Sequence, residues 1–221
     1  MKRRRFLQSL GIGAGVGIYR AAWPGTGLGA GAAESSAAVL LEGFPLHKQE
    51  TPYTCGPAAA RMVLEYLGHP VAEAEIKRRM RTNPATGTLP SQEVRGLNEY
   101  LAEFKTGLKA KTLKGAEVAN EVVLQSLRQK LPVIASFLTE NFFKPGTLVG
   151  HYAVIIGLDP PADEFTLANP FGSIMKIATA RFWRLAEWRP QPGDLPESVK
   201  GRKPLPVPFK RTIIILRKER L

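Results

Sequence analysis

The chain contains a single cysteine among its 221 residues, and the residues around it favour a chemical role. Cys55 directly precedes Gly56-Pro57, and apolar residues recur at helical spacing over positions 57–67, before Gly68. Proline favours the first position of a helix and glycine its C-terminal end, so we predict a helix over 57–67. Free backbone N–H groups and the helix dipole would stabilise a thiolate on Cys55, with a pKa below the ordinary value of about 8.5. A buried structural thiol is the alternative, and burial would raise its pKa instead.

A cysteine nucleophile needs a base, and the chain has three histidines. His47 and His69 lie before and after the predicted cysteine helix, where both read as exposed turn residues. His151 instead follows Gly150 and opens an apolar run over 152–158 that predicts a buried strand. An imidazole at the end of such a strand is either satisfied within the core or faces a cleft. The second alternative makes His151 the candidate base.

Two amide side chains complete a candidate site. The turn residues at 159–163 predict that the strand after His151 reverses into an antiparallel partner, which ends at Asn169. The reversal returns Asn169 to the His151 end of the sheet, where its oxygen can accept the imidazole N–H and fix the tautomer. Gln49 lies six residues before Cys55, and its amide can donate to an oxyanion alongside the backbone N–H of Cys55.

The remaining patterns predict an α+β domain. Helices are expected first and strands later: helices over 71–81, 90–101 and 117–130, and strands over 133–137, around 165, over 174–177 and over 211–216. The segment 190–208 contains six prolines and is expected to be a surface loop. We find no internal repeat, metal-ligand cluster or phosphate-binding glycine loop in the sequence, so no metal or other cofactor is expected.

The first thirty residues have the order of an export signal: a basic start, a glycine-diluted apolar segment and small residues at the end. Positions 3–7, Arg-Arg-Arg-Phe-Leu, resemble the twin-arginine consensus, and Ala30-Gly31-Ala32 offers a cleavage site. We therefore predict a signal over 1–32, a linker over 33–43 and one domain over 44–221. The apolar segment is shorter than the ~20 residues of a membrane span, and a retained amphipathic anchor is the alternative. The expected location is the periplasm or outside the cell, reached through the twin-arginine machinery.

Charge sets limits on the partners. Five positive residues and no acidic residue lie in the first 33 positions, and subtracting these five from the formal charge of +12 leaves +7. The other basic residues are mostly scattered, and no basic motif interleaved with aromatic residues supports nucleic-acid binding. A single cysteine also cannot form an internal disulfide. We expect a monomer without nucleic acid and without a stable membrane span in its mature form.

Three motifs together resemble a known family of enzymes. They are Gln49 with Cys55-Gly56-Pro57-Ala58-Ala59 six residues later, then Gly150-His151-Tyr152-Ala153-Val154, then Asn169-Pro170-Phe171-Gly172. They look like the motifs of the cysteine peptidases that process bacteriocin leaders, and of their stand-alone relatives, within the papain-like superfamily. The resemblance extends over about residues 44–182. It implies a papain-like fold in which N-terminal helices pack on a C-terminal antiparallel sheet.

The resemblance also implies roles for four residues. Cys55 would be the nucleophile, His151 the general base and then acid, Asn169 the residue that orients the imidazole, and Gln49 the oxyanion donor. These peptidases commonly carry aspartate where this chain has Asn169, but papain itself uses asparagine there. The implied function is an exported cysteine peptidase that hydrolyses a peptide or protein substrate through a thioester acyl-enzyme.

Two other functions stay open at this point. An amine could attack the thioester in place of water, as in transglutaminase-like acyltransferases. The domain could also be an inactive module that binds extended peptides or anionic envelope polymers, with its +7 charge attracting the polymer. An inactive module has no need of a thiol, so the presence of all four site residues favours an enzyme.

Overall fold

The structure is a computed structural model, and it describes residues 37–199 and 211–219. The predicted signal, the first four residues of the predicted linker and part of the proline-rich segment 190–208 lie outside the described residues.

Five α-helices are present in the described chain, and three of them precede most of the sheet. They are α1 Cys55–Tyr66, α2 Glu73–Met80, α3 Pro90–Glu103, α4 Asn120–Arg128 and α5 Thr179–Ala186. A 3-10 turn, Gly115–Glu117, precedes α4, and another, Glu197–Val199, lies in the proline-rich segment. No helix in the part of the chain described is long and apolar enough to cross a membrane.

A seven-stranded antiparallel sheet forms the second layer. Its strands are β1 Val39–Leu40, β2 Leu108–Lys114, β3 Val133–Glu140, β4 Leu148–Asp159, β5 Glu164–Asn169, β6 Ser173–Ala178 and β7 Thr212–Lys218. The strand order is β2-β7-β3-β4-β5-β6, and β1 pairs with β4. The predicted fold, with N-terminal helices on a later antiparallel sheet, is confirmed.

The cysteine helix is almost completely buried between the sheet and the other helices. Its residues Ala58–Ala60 and Met62–Leu64 have no exposed surface, and the helix packs against β4. It begins at Cys55, two residues earlier than predicted, and it ends just before Gly68, whose φ of +86° suits glycine. This central position holds the first turn of α1 rigidly beside the sheet.

The hairpin of β4 and β5 forms as predicted and determines where two polar side chains meet. A turn at 160–163 joins the strands, and Val154 pairs with Ala168. Asn169, the next residue, therefore lies at the end of β4 that carries His151. On the other side, β3 places Phe137 directly opposite His151.

Three regular elements were not predicted from the sequence, and one of them is β1, a two-residue strand inside the predicted linker that is too short to show an alternating pattern. In β2, lysines alternate with less polar residues on a sheet edge, so the strand lacks the apolar run of a buried strand. The helix α5 begins at the residue after β6, with no glycine, proline or side-chain cap to mark the boundary, so the sequence offers no start signal for it. In the segment 190–208, the described part is anchored, because the buried carboxylate of Asp194 pairs with Arg184 at 2.6 Å.

Candidate active site

Cys55 occupies the first position of α1, where the chain leaves a tight turn. The hydroxyl of Thr54 closes this turn, accepting from the N–H of Thr51 at 3.1 Å and donating to the Thr51 carbonyl at 3.2 Å. Because Thr54 is engaged in this way, it makes no side-chain cap on the helix. The N–H groups of Cys55, Gly56 and Tyr152 instead donate toward the sulfur, and all three lower the thiol pKa. Tyr152 directly follows His151, so the sulfur lies beside the strand that carries the candidate base.

Burial nevertheless dominates the protonation of the thiol. Cys55 is 8% exposed, and burial, with a smaller contribution from the Glu93 carboxylate, raises its pKa to about 11 despite the three N–H groups. The lowered pKa predicted from the helix N-terminus is therefore wrong for the resting structure. Removing the thiolate from water outweighs the donors that face it. At neutral pH Cys55 is a neutral thiol.

The imidazole of His151 is buried at 3% exposure and is held by the amide of Asn169. The distance between His151 Nε2 and Asn169 Oδ1 is 2.8 Å. The same oxygen accepts the N–H of Phe171 at 2.9 Å, while the Asn169 amide nitrogen faces the sulfur of Met175 at 3.1 Å. Since Oδ1 is fixed as an acceptor, Nε2 must carry the proton. The free base of His151 is therefore Nδ1.

Aromatic rings cover the imidazole and its amide partner. Phe171 stacks on His151 with 4.1 Å between ring centroids, and Phe137 meets the imidazole edge at 5.6 Å. Phe142 stacks on Phe171 at 5.1 Å, and the ammonium of Lys48 lies 5.0 Å from the Phe142 ring. This cover excludes water from the hydrogen bond to Asn169. Burial lowers the pKa of His151 to about 4, and the bond to Asn169 raises it only in part.

Gln49 is buried at 4% exposure and is tied to the loop that carries Asn169. Its backbone N–H donates to the carbonyl of Pro170 at 2.7 Å, and the preceding Lys48 forms a β-bridge with Phe171. The side-chain Nε2 donates to the carbonyl of Thr51 at 2.6 Å. An amide nitrogen has two protons, so one remains for a further acceptor. The backbone links to 170–171 and the contact with Thr51 hold both ends of Gln49 in place.

The structure thus connects the four predicted residues through two sets of contacts. Cys55 lies beside Tyr152, the neighbour of His151, and His151 is hydrogen-bonded to Asn169. Gln49 lies in the segment that precedes Cys55 and is bonded to the Asn169 loop. The other two histidines have different contacts. His47 pairs with Glu65 at 2.6 Å, and His69 stacks on Phe104 at 4.4 Å.

Two buried glutamates beside the site were not predicted. Glu73 on α2 has no exposed surface and accepts the N–H of Glu50 at 2.9 Å, which anchors the segment between Gln49 and Cys55. Glu93 on α3 is equally buried, and burial raises its pKa to about 8. The signal was available in the sequence, because each glutamate falls on the apolar face of its helix.

Solved structures share this fold. A C39-like peptidase from Bacillus anthracis is 16% identical, with a TM-score of 0.54, and the match covers 83% of this chain and 100% of that chain. The peptidase domain of Streptococcus ComA, a bi-functional ABC transporter involved in a quorum sensing pathway, is 15% identical with a TM-score of 0.50. That match covers 80% of this chain and 99% of the domain. At these identities the likeness shows a common fold.

Sequence comparison is decisive for the family. No curated protein sequence matches the chain significantly. The model of the Peptidase C39 like family matches residues 41–189, which is more than half of the 221 residues. The resemblance inferred from the three motifs is confirmed by this match. The chain belongs to the Peptidase C39 like family and is a cysteine-type peptidase.

Proposed function

We propose that the protein hydrolyses peptide bonds through a thioester acyl-enzyme formed on Cys55, with His151 as base and then acid. The observation that carries this proposal is the hydrogen bond from His151 Nε2 to an Asn169 oxygen that a backbone N–H also holds. This arrangement leaves Nδ1 as the only nitrogen that can accept the thiol proton.

Acylation begins with proton transfer from the Cys55 thiol to Nδ1 of His151. The sulfur then attacks the scissile carbonyl carbon, and the carbonyl oxygen becomes an oxyanion. The backbone N–H of Cys55 and the amide of Gln49 donate to this oxyanion. When the tetrahedral intermediate collapses, the C–N bond breaks, and the imidazolium gives its proton to the leaving amine. The products of this half-reaction are a thioester on Cys55 and a free amine.

Deacylation repeats the sequence with water. His151 Nδ1 accepts a proton from the water molecule, whose oxygen attacks the thioester carbonyl. The C–S bond breaks, the sulfur regains the proton from the imidazolium, and a carboxylic acid leaves. If an amine attacked in place of water, the product would be a new amide, and the enzyme would be an acyltransferase.

The two pKa values define the resting state of the pair. With the pKa of Cys55 raised to about 11 and that of His151 lowered to about 4, both groups are neutral at pH 7. The nucleophile therefore forms by proton transfer between them and does not exist as a free thiolate at rest. The backbone N–H groups around the sulfur and the bond to Asn169 stabilise the ion pair once it forms.

A trapping experiment tests the proposal. A complex mixture of peptides is incubated with the protein, with and without hydroxylamine, and the products are identified by mass spectrometry. We expect new C-terminal carboxylates without hydroxylamine and peptide hydroxamates with it, because hydroxylamine attacks the thioester. Protein blocked beforehand at Cys55 with iodoacetamide is the control and should give neither product. Amide-linked peptides would establish acyl transfer, and the absence of any Cys55-dependent product would refute both reactions.

We also propose that residues 1–32 direct export of the protein through the twin-arginine pathway. The support is the order of basic, apolar and small residues and the Arg-Arg pair at positions 3–4. The double substitution Arg3→Lys and Arg4→Lys should trap full-length protein in the cytosol, because the consensus requires arginine. Arg20→Lys, outside the pair, is the matched control. Cell fractionation and N-terminal sequencing measure the outcome, and normal export of the double variant would contradict the assignment.

A further inference from the structure

A buried carboxyl group lies under the first turn of the cysteine helix. Glu93 has no exposed surface, and its Oε2 lies so close to Gly56 that a Cβ there would approach it to 2.5 Å. The side chain of Thr88 shares this space, since the same Cβ would meet its Cβ at 2.9 Å. Gly56 directly follows Cys55, so the carboxyl group lies one residue from the nucleophile along α1.

Nothing in the described chain compensates a charge on Glu93. Neither of its oxygens has a hydrogen-bond partner among the described residues. Burial alone accounts for the rise of its pKa to about 8, with no cation or donor opposing it. Buried polar groups are almost always hydrogen-bonded, so an unpaired carboxyl group next to a nucleophile requires a physical explanation. It is far more stable as the neutral acid than as the anion in this position.

The charge of Glu93 acts on two titratable groups. Its carboxyl group faces the thiol of Cys55, which lies on α1, and the phenol of Tyr152, which lies on β4. In both cases a negative charge on Glu93 raises the pKa of the neighbour, because two anions repel each other where water is excluded. Thr88, on the loop before α3, packs in the same space but does not titrate.

We propose that Glu93 is a positioning residue that acts through the sulfur of Cys55: as a neutral acid it permits the sulfur to become an anion, and as a carboxylate it suppresses that anion. The inference rests on the proposed function only in taking Cys55 as the nucleophile. Glu93 then becomes a third group, beside Cys55 and His151, whose protonation state controls the reaction. The peptidase would be most active while Glu93 keeps its proton.

The direction of the pH effect follows from the charge. Below about pH 8 Glu93 is mostly protonated, and it does not oppose formation of the sulfur anion. Above that pH the carboxylate forms, and the sulfur becomes harder to ionise. A like charge at close range shifts a pKa by about one unit or more, which corresponds to about tenfold in the population of the anion.

The test compares the alkylation of Cys55 by iodoacetamide in the wild type and in Glu93→Gln, from pH 6 to pH 9. Glutamine has the size of the protonated acid but cannot ionise. At pH 6 the two rates should agree within about twofold, and at pH 9 Glu93→Gln should react about tenfold faster. Glu99→Gln, the same change at an exposed position of α3, should follow the wild type throughout. A ratio of Glu93→Gln to wild type that is constant with pH would show a purely structural role and overturn the proposal.

A second measurement needs no variant. The infrared carbonyl band of a protonated carboxylic acid should persist in the wild type at pH 7 and disappear with a midpoint near 8, whereas ordinary carboxyl groups ionise near pH 4. Absence of any such band at pH 7 would overturn the proposal even if Glu93→Gln failed to fold. Failure of the hydrolase mechanism gives a different result. In that case His151→Ala would leave alkylation unchanged, while the pH-dependent ratio for Glu93 would remain.

Discussion

Replacement of His151 by alanine is expected to lower peptide turnover by about 10⁴-fold, the largest effect of any non-nucleophile substitution in the chain. Without Nδ1 the thiol of Cys55, whose pKa burial raises to about 11, has no acceptor for its proton at neutral pH. The leaving amine also loses its proton donor. Both halves of the reaction therefore fail together.

The measurement is the rate of product formation on a peptide that the wild type cleaves, followed from pH 4 to pH 8. Since burial lowers the pKa of His151 to about 4, wild-type activity should persist down to about that pH and not decline near 6.5. His69→Ala is the matched control, because His69 stacks on Phe104 away from the site, and it should keep activity within about twofold. An acid limb near 6.5 would contradict the buried imidazole.

Gln49→Ala is expected to lower kcat by about 10²- to 10³-fold while leaving the alkylation of Cys55 nearly unchanged. The amide of Gln49 serves the oxyanion of the intermediate, and it is not among the groups that set the pKa of the sulfur. The substitution removes one of the two oxyanion donors but leaves the pair of Cys55 and His151 intact.

Measuring both kcat and the alkylation of Cys55 distinguishes the loss of an oxyanion donor from a disturbance of the structure around Cys55. Gln49 is buried, and its Nε2 donates to the carbonyl of Thr51, so alanine could also disturb the turn before α1. A disturbed turn would slow alkylation and turnover together. Gln129→Ala, at an exposed position after α4, is the control for substitution of a glutamine and should match the wild type. Equal losses of alkylation and turnover in Gln49→Ala would count against an oxyanion role.

Short-range patterns were enough to predict how His151 and Asn169 meet. A buried strand, a turn rich in proline and aspartate and a second strand define a hairpin, and a hairpin fixes which residues lie at the same end. The predicted proximity of the two side chains follows from counting along these strands. The 2.8 Å contact between them is the result of this local geometry.

The protonation of Cys55 could not be predicted in the same way. Its place at a helix N-terminus is visible in the sequence and favours the thiolate. Burial depends on β4 and α3 packing over the first turn of α1, and these elements are far apart in the chain. Because burial of the thiol outweighs the N–H groups, the local argument gave the wrong direction for the pKa of Cys55.

The buried glutamates Glu73 and Glu93 illustrate a different limit of prediction from sequence. A carboxyl group on the apolar face of a short helix is usually assigned to solvent, since helix boundaries and faces are uncertain from sequence. The side chains of Glu73 and Glu93 instead enter the region around the cysteine helix, Glu73 at the backbone of Glu50 and Glu93 at Gly56. Their places on the apolar helix faces are visible in the sequence, but only the packing of α2 and α3 against α1 shows which groups they approach.

The rate at which iodoacetamide alkylates Cys55 at pH 7, in the wild type and in His151→Ala, tests the central claim most directly. A thiol with a pKa of about 11 is ionised to about one part in 10⁴ at pH 7, whereas a free cysteine with a pKa of about 8.5 is ionised to about one part in 30. Without its base, Cys55 should therefore react some hundreds of times more slowly than a free cysteine peptide. We predict that the wild type reacts at least as fast as that peptide, because Nδ1 of His151 accepts the proton while the S–C bond forms, and that His151→Ala reacts some hundreds of times more slowly than the wild type. Equal rates in the two proteins, or alkylation of the wild type only after denaturation, would contradict a nucleophile activated by His151.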